Sequence, residues 1–202
     1  MKMKSKKSFC LGIILLLALC KPGFAQERNY RNEINFRYGI LTVPGVTELM
    51  GSLLSEVITF GTYSVHNWWS TGAIGMEYSY SPKKWVCVGA TLSFERTGSQ
   101  IYLPDKEIKD GETSSYYYSL MGVARFNYLS KKIVTLYGRV GVGYTLALQY
   151  YTGTNSYQDY TGGMFAFQLS PIGVRVGTRV AGFFEAGFGT EGLVNFGLSV
   201  RL

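Results

Sequence analysis

Apolar and polar positions alternate with a period of two through most of this chain, and the alternation reaches its last residue. Between Val194 and Leu202, the residues Val194, Phe196, Leu198, Val200 and Leu202 interleave with Asn195, Gly197, Ser199 and Arg201. A strand with one apolar and one polar face has this pattern, because successive side chains leave an extended backbone on opposite sides. The same even-numbered parity runs from Ile133 to Tyr151, where Val134, Leu136, Val140, Val142, Tyr144, Leu146 and Leu148 oppose Thr135, Tyr137, Arg139, Gly141, Gly143, Thr145, Ala147 and Gln149. Breaking the chain at its turn signals predicts eight strands, at about 33–43, 70–81, 85–103, 114–129, 133–151, 163–177, 180–188 and 193–202.

The connections alternate in length. Short ones fall at Ser81-Pro82-Lys83-Lys84, Leu129-Ser130-Lys131-Lys132 and Gly177-Thr178-Arg179, and long ones at 44–69, 104–113 and 152–162. An even number of strands, with short turns at one end and long loops at the other, is the pattern of an antiparallel transmembrane barrel. The expected fold class is therefore all-β: an eight-stranded antiparallel up-and-down transmembrane β-barrel.

Energy decides which face is which. The even side carries Phe36, Met76, Leu92, Leu120, Phe126 and Phe184, and the odd side carries Arg37, Glu77, Glu95, Arg125 and Glu185. Turning Arg37, Arg125, Arg139, Arg175 and Arg201 toward lipid would cost about 2–4 kcal/mol each near the midplane and less near the interfaces, on the order of 10 kcal/mol together. The arginines are expected to face the lumen. Two places break the parity. Arg96 falls on the lipid side, far enough from the Lys83-Lys84 turn to reach the headgroup zone. In the sixth strand Phe165, Phe167 and Leu169 are odd while Ile172, Val174 and Val176 are even, which predicts a bulge at Pro171, a residue that cannot donate a ladder hydrogen bond. Tyr78, Tyr80, Tyr116, Tyr118, Tyr128 and Tyr150 lie near strand ends, as interfacial aromatic girdles do.

Export is written at the start. Lys2, Lys4, Lys6 and Lys7 precede an apolar run from Leu11 to Leu19, and Gly23-Phe24-Ala25 offers a small-x-small cleavage site, so 1–25 is expected to be a signal peptide and 26–202 the barrel domain. The bulky Leu19 before Cys20 argues against a lipid-modification box. Cleavage after Ala25 removes five lysines and no acid, leaving 15 basic against 13 acidic residues and a net charge of +2. The basic balance of the whole chain thus belongs largely to the leader, and no basic cluster remains for nucleic acid. Cys10 and Cys20 leave with the leader, and a single Cys87 makes neither an intramolecular disulfide nor a metal cluster, so no cofactor or metal is expected.

The leader, the eight alternating strands, the three short turns and the alternating C-terminal strand resemble the small outer-membrane barrels of the OmpA and OmpX type, across essentially all of 26–202. The resemblance implies an outer-membrane location, contact with outer-membrane lipid and lipopolysaccharide, delivery by the barrel-insertion machinery, and an extracellular protein partner held through the loops. One departure is the terminus: such barrels commonly end in an aromatic residue, and this chain ends in Leu202.

The inward charges Arg37, Arg125, Arg139, Arg175 and Arg201, with Glu33, Glu77, Glu95 and Glu185, are nearly balanced. Eight strands leave an interior that side chains can fill, so these groups are expected to pair across the lumen and close it. The third and fifth strands, at about 19 residues each, exceed the roughly 9–11 needed to cross a membrane, and the surplus predicts a strand fence above the surface. Its open edges are candidates for strand pairing with a partner, the alternative being a rigid stalk that holds no ligand. In the first loop, Leu49, Met50, Leu53, Leu54, Val57 and Ile58 have helical spacing, predicting a short amphipathic helix over 47–58 that caps the mouth or lies on the lipid surface. The lone histidine, His66, is near Ser70, with Glu56 or Glu77 as a third group, but no spacing specifies a catalytic arrangement, and its neighbours Asn67, Trp68 and Trp69 place it at an aromatic girdle. The sequence therefore points to a non-enzymatic outer-membrane barrel with a closed, charge-filled lumen, acting in surface interaction or envelope structure. The alternative is a narrow porin-like or OmpW-like conduit for small or hydrophobic solutes.

Overall fold

The computed structural model describes residues 31–47, 64–103, 108–153 and 159–202. Nine strands follow in chain order: β1 (Asn32–Ile40), β2 (Ser64–Ser70), β3 (Ala73–Lys83), β4 (Val86–Leu103), β5 (Ile108–Ser130), β6 (Val134–Gly153), β7 (Tyr160–Gly177), β8 (Val180–Gly189) and β9 (Val194–Arg201). All pairings are antiparallel. The ladder runs from β1 through β3, β4, β5, β6, β7 and β8 to β9, and β9 returns to β1 through Ile34–Val200, Phe36–Leu198 and Tyr38–Phe196. The chain is an all-β protein forming a closed eight-stranded antiparallel barrel.

The remaining strand adds no position to the ring. Among the described residues β2 pairs with β4 alone, Ser64–Ser70 lying against Thr97–Tyr102, so it continues the line of β3 above a break at Thr71-Gly72. The sequence reading assigned 64–69 to a loop. Ser-Val-His-Asn-Trp-Trp-Ser lacks clean alternation, its register shifts between His66 and Trp69, and only the upper half of β4 gives it a partner. Similarly, β5 begins at Ile108 rather than 114, because Gly111 and Glu112, turn-like in composition, pair on one side with Ile101 and Gln100 and on the other with Gly153 and Thr152.

The wall is therefore uneven. β4, β5, β6 and β7 have 18, 23, 20 and 18 residues, whereas β1, β8 and β9 have 9, 10 and 8. The long strands form a fence on one side of the mouth. Its margins are β2, paired only with β4, and β7 above Gln168–Gly189, where β8 has ended.

Burial follows the expected parity. In β1, Glu33, Asn35 and Arg37 are buried while Phe36 and Ile40 are exposed; in β3, Glu77 and Ser79 are buried while Ile74, Met76 and Tyr78 are exposed. The phase reverses within β7. Phe165 and Leu169 are exposed on the mouth side of Ser170, Ile172 and Val176 on the turn side, and Gly138 stands opposite the extra residue between the pairs Arg139–Ser170 and Tyr137–Gly173. The bulge predicted at Pro171 is present, with the matching shift against β8 between Leu169 and Ile172. A small apolar layer of Met121, Val123 and Ala166 lines the inside. Everything else of size that is fully buried is mainly polar or charged, the inverse of a water-soluble core.

Above β1 the chain turns through Leu41 into a helix that starts at 43, with Thr42 as its N-cap, the Gly45 amide donating to Thr42 Oγ1 at 3.1 Å. The helix expected over 47–58 lies outside the described residues apart from Thr47, and so does the leader over 1–25.

Candidate functional site

The barrel interior is the candidate site, and its geometry starts from strand positions. Around the ring β1 and β6 stand opposite each other, four places apart, so Arg37 on β1 and Arg139 on β6 enter the lumen from facing walls. They meet at shared carboxylates. Arg139 Nε and Nη2 each lie 2.8 Å from Glu77 Oε2, and Arg37 Nη2 lies 3.2 Å from the same oxygen. Arg37 Nη1 donates to Glu191 Oε2 at 2.6 Å, and Arg139 grips both oxygens of Glu191, at 2.6 and 3.2 Å. Arg37 also reaches Glu185 at 3.3 Å, whose Oε1 accepts from the Tyr137 hydroxyl at 2.9 Å. Two guanidiniums and three carboxylates thus form one network from wall to wall.

A second cluster lies toward the turn end. Glu33 accepts two hydrogen bonds from Arg125, at 2.6 and 3.0 Å, and one from Arg201 at 2.9 Å, with Arg175 Nε 3.7 Å away. Arg175 is held by Ser199 Oγ at 2.9 Å and by the carbonyls of Gly177 and Thr178 at 3.2 and 3.0 Å. Glu95 belongs to neither cluster. It accepts hydroxyls from Thr42 at 2.7 Å and Ser70 at 2.6 Å, tying the first loop and β2 to the mouth.

The sequence reading named Arg37, Glu77, Glu95, Arg125, Arg139, Arg175, Glu185 and Arg201, and the structure turns all eight inward. It brings Arg37, Arg139, Glu77 and Glu185 together, gathers Arg125, Arg175 and Arg201 at Glu33, and leaves Glu95 at the mouth. Glu191 was missed. It belongs to no strand: it sits in the β8–β9 connection, and that turn folds into the barrel instead of out of it. Gly192, at φ +111°, permits the turn, and Gly39 leaves room below it, since a Cβ on Gly39 would overlap the Glu191 carbonyl oxygen. Gln168 Oε1 accepts from the Glu191 amide at 3.0 Å, its Nε2 donates to the Gly192 carbonyl at 3.0 Å, and Thr91 donates to Glu191 Oε1 at 3.0 Å. The available signal was charge: five inward arginines against four inward glutamates leave one cation over, and Glu191 supplies the missing anion.

Burial gives these bonds their weight. Arg139, Glu77, Glu185 and Glu191 are each 1% exposed, and removing one partner of a buried pair strands the other charge, at a cost of about 3–5 kcal/mol. Such a network locks side chains in place. Ser70 is engaged with Glu95 and with the Gly72 amide, at 2.9 Å, and His66 on β2 pairs in register with Gln100. No protein-family model matches the chain, and no curated protein sequence does.

Proposed function

We propose that the chain is a non-enzymatic integral outer-membrane barrel with a closed lumen, and that its work is done at the surface, in interaction with a partner or in envelope structure. The observation that carries this reading is the Arg37–Glu191–Arg139 bridge, which joins facing walls of the ring through direct hydrogen bonds and occupies the width that a solute would need. The outer wall supports membrane residence. Ile74, Leu92, Leu120, Val142, Ile172, Val180 and Leu198 are all more than half exposed and fall on successive strands from β3 to β9, a continuous apolar surface far beyond the isolated patches of water-soluble monomers. The fence supports a surface role, because among the described residues β2 and the upper part of β7 carry unpaired edges of the kind that accept an added strand.

Single-channel recording of the refolded chain in a planar bilayer tests the closed lumen. The expected result is no conductance steps from the natural sequence and leak from Arg139→Ala. Steady discrete openings in the natural sequence would overturn it and make solute conduction the leading function.

A further inference from the structure

One cation faces outward where the barrel wall is otherwise apolar and aromatic. The Arg96 guanidinium carbon lies 5.2 Å from the centre of the Trp69 ring on one side and 5.2 Å from that of Tyr116 on the other. The strands build this sandwich: Tyr116 is the register partner of Arg96 on β5, and Trp69 on β2 lies over Gly98, where a Cβ would come within 2.7 Å of the indole. The buried Arg96 Nε has no hydrogen-bond partner, and no carboxylate among the described residues pairs with the guanidinium.

Height places the sandwich. From Trp85, in the turn between β3 and β4, to Arg96 is a climb of roughly 28 Å, for eleven residues at about 3.3 Å each on a strand tilted by about 40°. An apolar band is about 25 Å tall. Arg96 therefore stands just above the band's outer rim. Two depressions of the outer wall lie beside the sandwich, the first sharing Tyr116 with it and neither lined by Arg96 itself. One, of about 440 Å³, is lined by Ser114, Tyr116, Tyr118, Leu148, Tyr150 and Thr152, a mixture of ring faces and hydroxyls. The other, of about 800 Å³, lies on the wall below and is bordered by Leu92, Phe94, Leu120 and Tyr144. Tyr118 lines both, and Phe94 packs against it with ring centres 5.2 Å apart. A polar pocket, joined to Arg96 through the shared Tyr116 ring, thus opens onto an apolar trough.

We infer that this face binds a single phosphorylated glycolipid of the outer leaflet, its phosphate on Arg96, its sugar in the tyrosine pocket and an acyl chain in the trough. Each part follows from chemistry. A guanidinium presents N–H donors in a plane suited to phosphate, and stacking between two rings fixes that plane before the ligand arrives. Tyrosine faces and the Ser114 and Thr152 hydroxyls suit a sugar, which has apolar C–H faces and hydroxyl edges. The trough offers the acyl chain almost wholly apolar walls.

The inference rests on the membrane reading proposed above, and its test separates the two. The full chain is refolded and its insertion into phosphatidylcholine vesicles is checked by heat-dependent gel migration; then retained lipid is measured by native mass spectrometry in mild detergent with diphosphorylated lipid A, its dephosphorylated form, or phosphatidylglycerol. The expected result is retention of the phosphorylated glycolipid over both others, weakened about tenfold by Arg96→Gln, the loss of one charge-assisted contact. Arg179→Gln, at an exposed turn on the opposite end, leaves retention unchanged. Equal retention by inserted Arg96→Gln overturns the inference, as does equal retention of phosphatidylglycerol. A Trp69→Leu variant that inserts and binds as tightly as the natural sequence also overturns it. A chain that does not insert at all overturns the membrane reading instead.

Discussion

Arg139 and Glu191 form a two-pronged ion pair in the middle of the barrel, at 2.6 and 3.2 Å, although 52 residues separate them in the chain. One comes from a strand and the other from a turn that dips inward, so the pair ties the β8–β9 connection to β6 across the lumen. Removing Arg139 leaves Glu77, Glu185 and Glu191 to Arg37 alone, whereas neutralising Glu191 leaves two guanidiniums with Glu77 and Glu185. Arg139→Ala is expected to cost about 3–5 kcal/mol in urea unfolding from lipid vesicles, and Glu191→Gln less, because Arg37 and Arg139 both keep Glu77. Arg139→Met with Glu191→Met is expected to cost less than the two single changes together, by at least about 1.5 kcal/mol. Strict additivity would show that the two groups do not act as a pair.

Gly39 supplies a second handle on the same turn. A methyl there meets a backbone carbonyl, which cannot swing aside as a side chain can, so Gly39→Ala must displace 190–193 and with it Glu191. The expected loss is about 1–3 kcal/mol, the usual range for overpacking. Gly182→Ala is the control: a Cβ there meets nothing within 4 Å, and the change is expected to lie within about 0.5 kcal/mol of neutral. Equal effects at the two positions would remove the steric explanation.

Much of this fold is legible in the sequence because a barrel wall obeys one local rule. The parity that faces Phe36, Leu92 and Leu120 outward and Arg37, Glu77 and Arg125 inward is visible residue by residue, and even the reversal at Pro171 announces itself. What the sequence hides depends on partners far along the chain. Ser64–Ser70 becomes a strand only because β4 overshoots β3 and offers it an edge. Glu191 enters the lumen only because Gly39 and Gly192 leave space for a turn to dip, a fact of three-dimensional shape with no period in the sequence. The Arg96 sandwich was half visible: its outward parity could be read, but the approach of Trp69 depends on a strand that the pattern did not reveal.

The outer wall makes a prediction about depth. Leu120 stands near the middle of β5 and Tyr128 near its turn end, and both are more than half exposed. If lipid covers this wall, Leu120→Arg costs about 2–4 kcal/mol and Tyr128→Arg about 0–1 kcal/mol. If water covers it, neither change has a cost tied to position. Unfolding in vesicles of fixed lipid composition distinguishes the two, and a flat profile across these positions would count against a membrane-embedded barrel.

The fence makes a prediction about motion. Residues 114–126 of β5 are paired on both sides, with β4 and with β6, whereas β2 and 160–166 of β7 each have a neighbour on one side only among the described residues. A strand held along one edge opens without breaking a second ladder, so its local opening free energy falls below that of the ring. Hydrogen exchange followed peptide by peptide is expected to label 64–70 and 160–166 well before 114–126, although all three belong to the same wall. A bound strand-like partner would slow the marginal segments and leave the central one unchanged, because only the margins have free backbone groups to give. Uniform protection across the fence, with no partner present, would mean that its edges are already covered and would remove them as a docking surface.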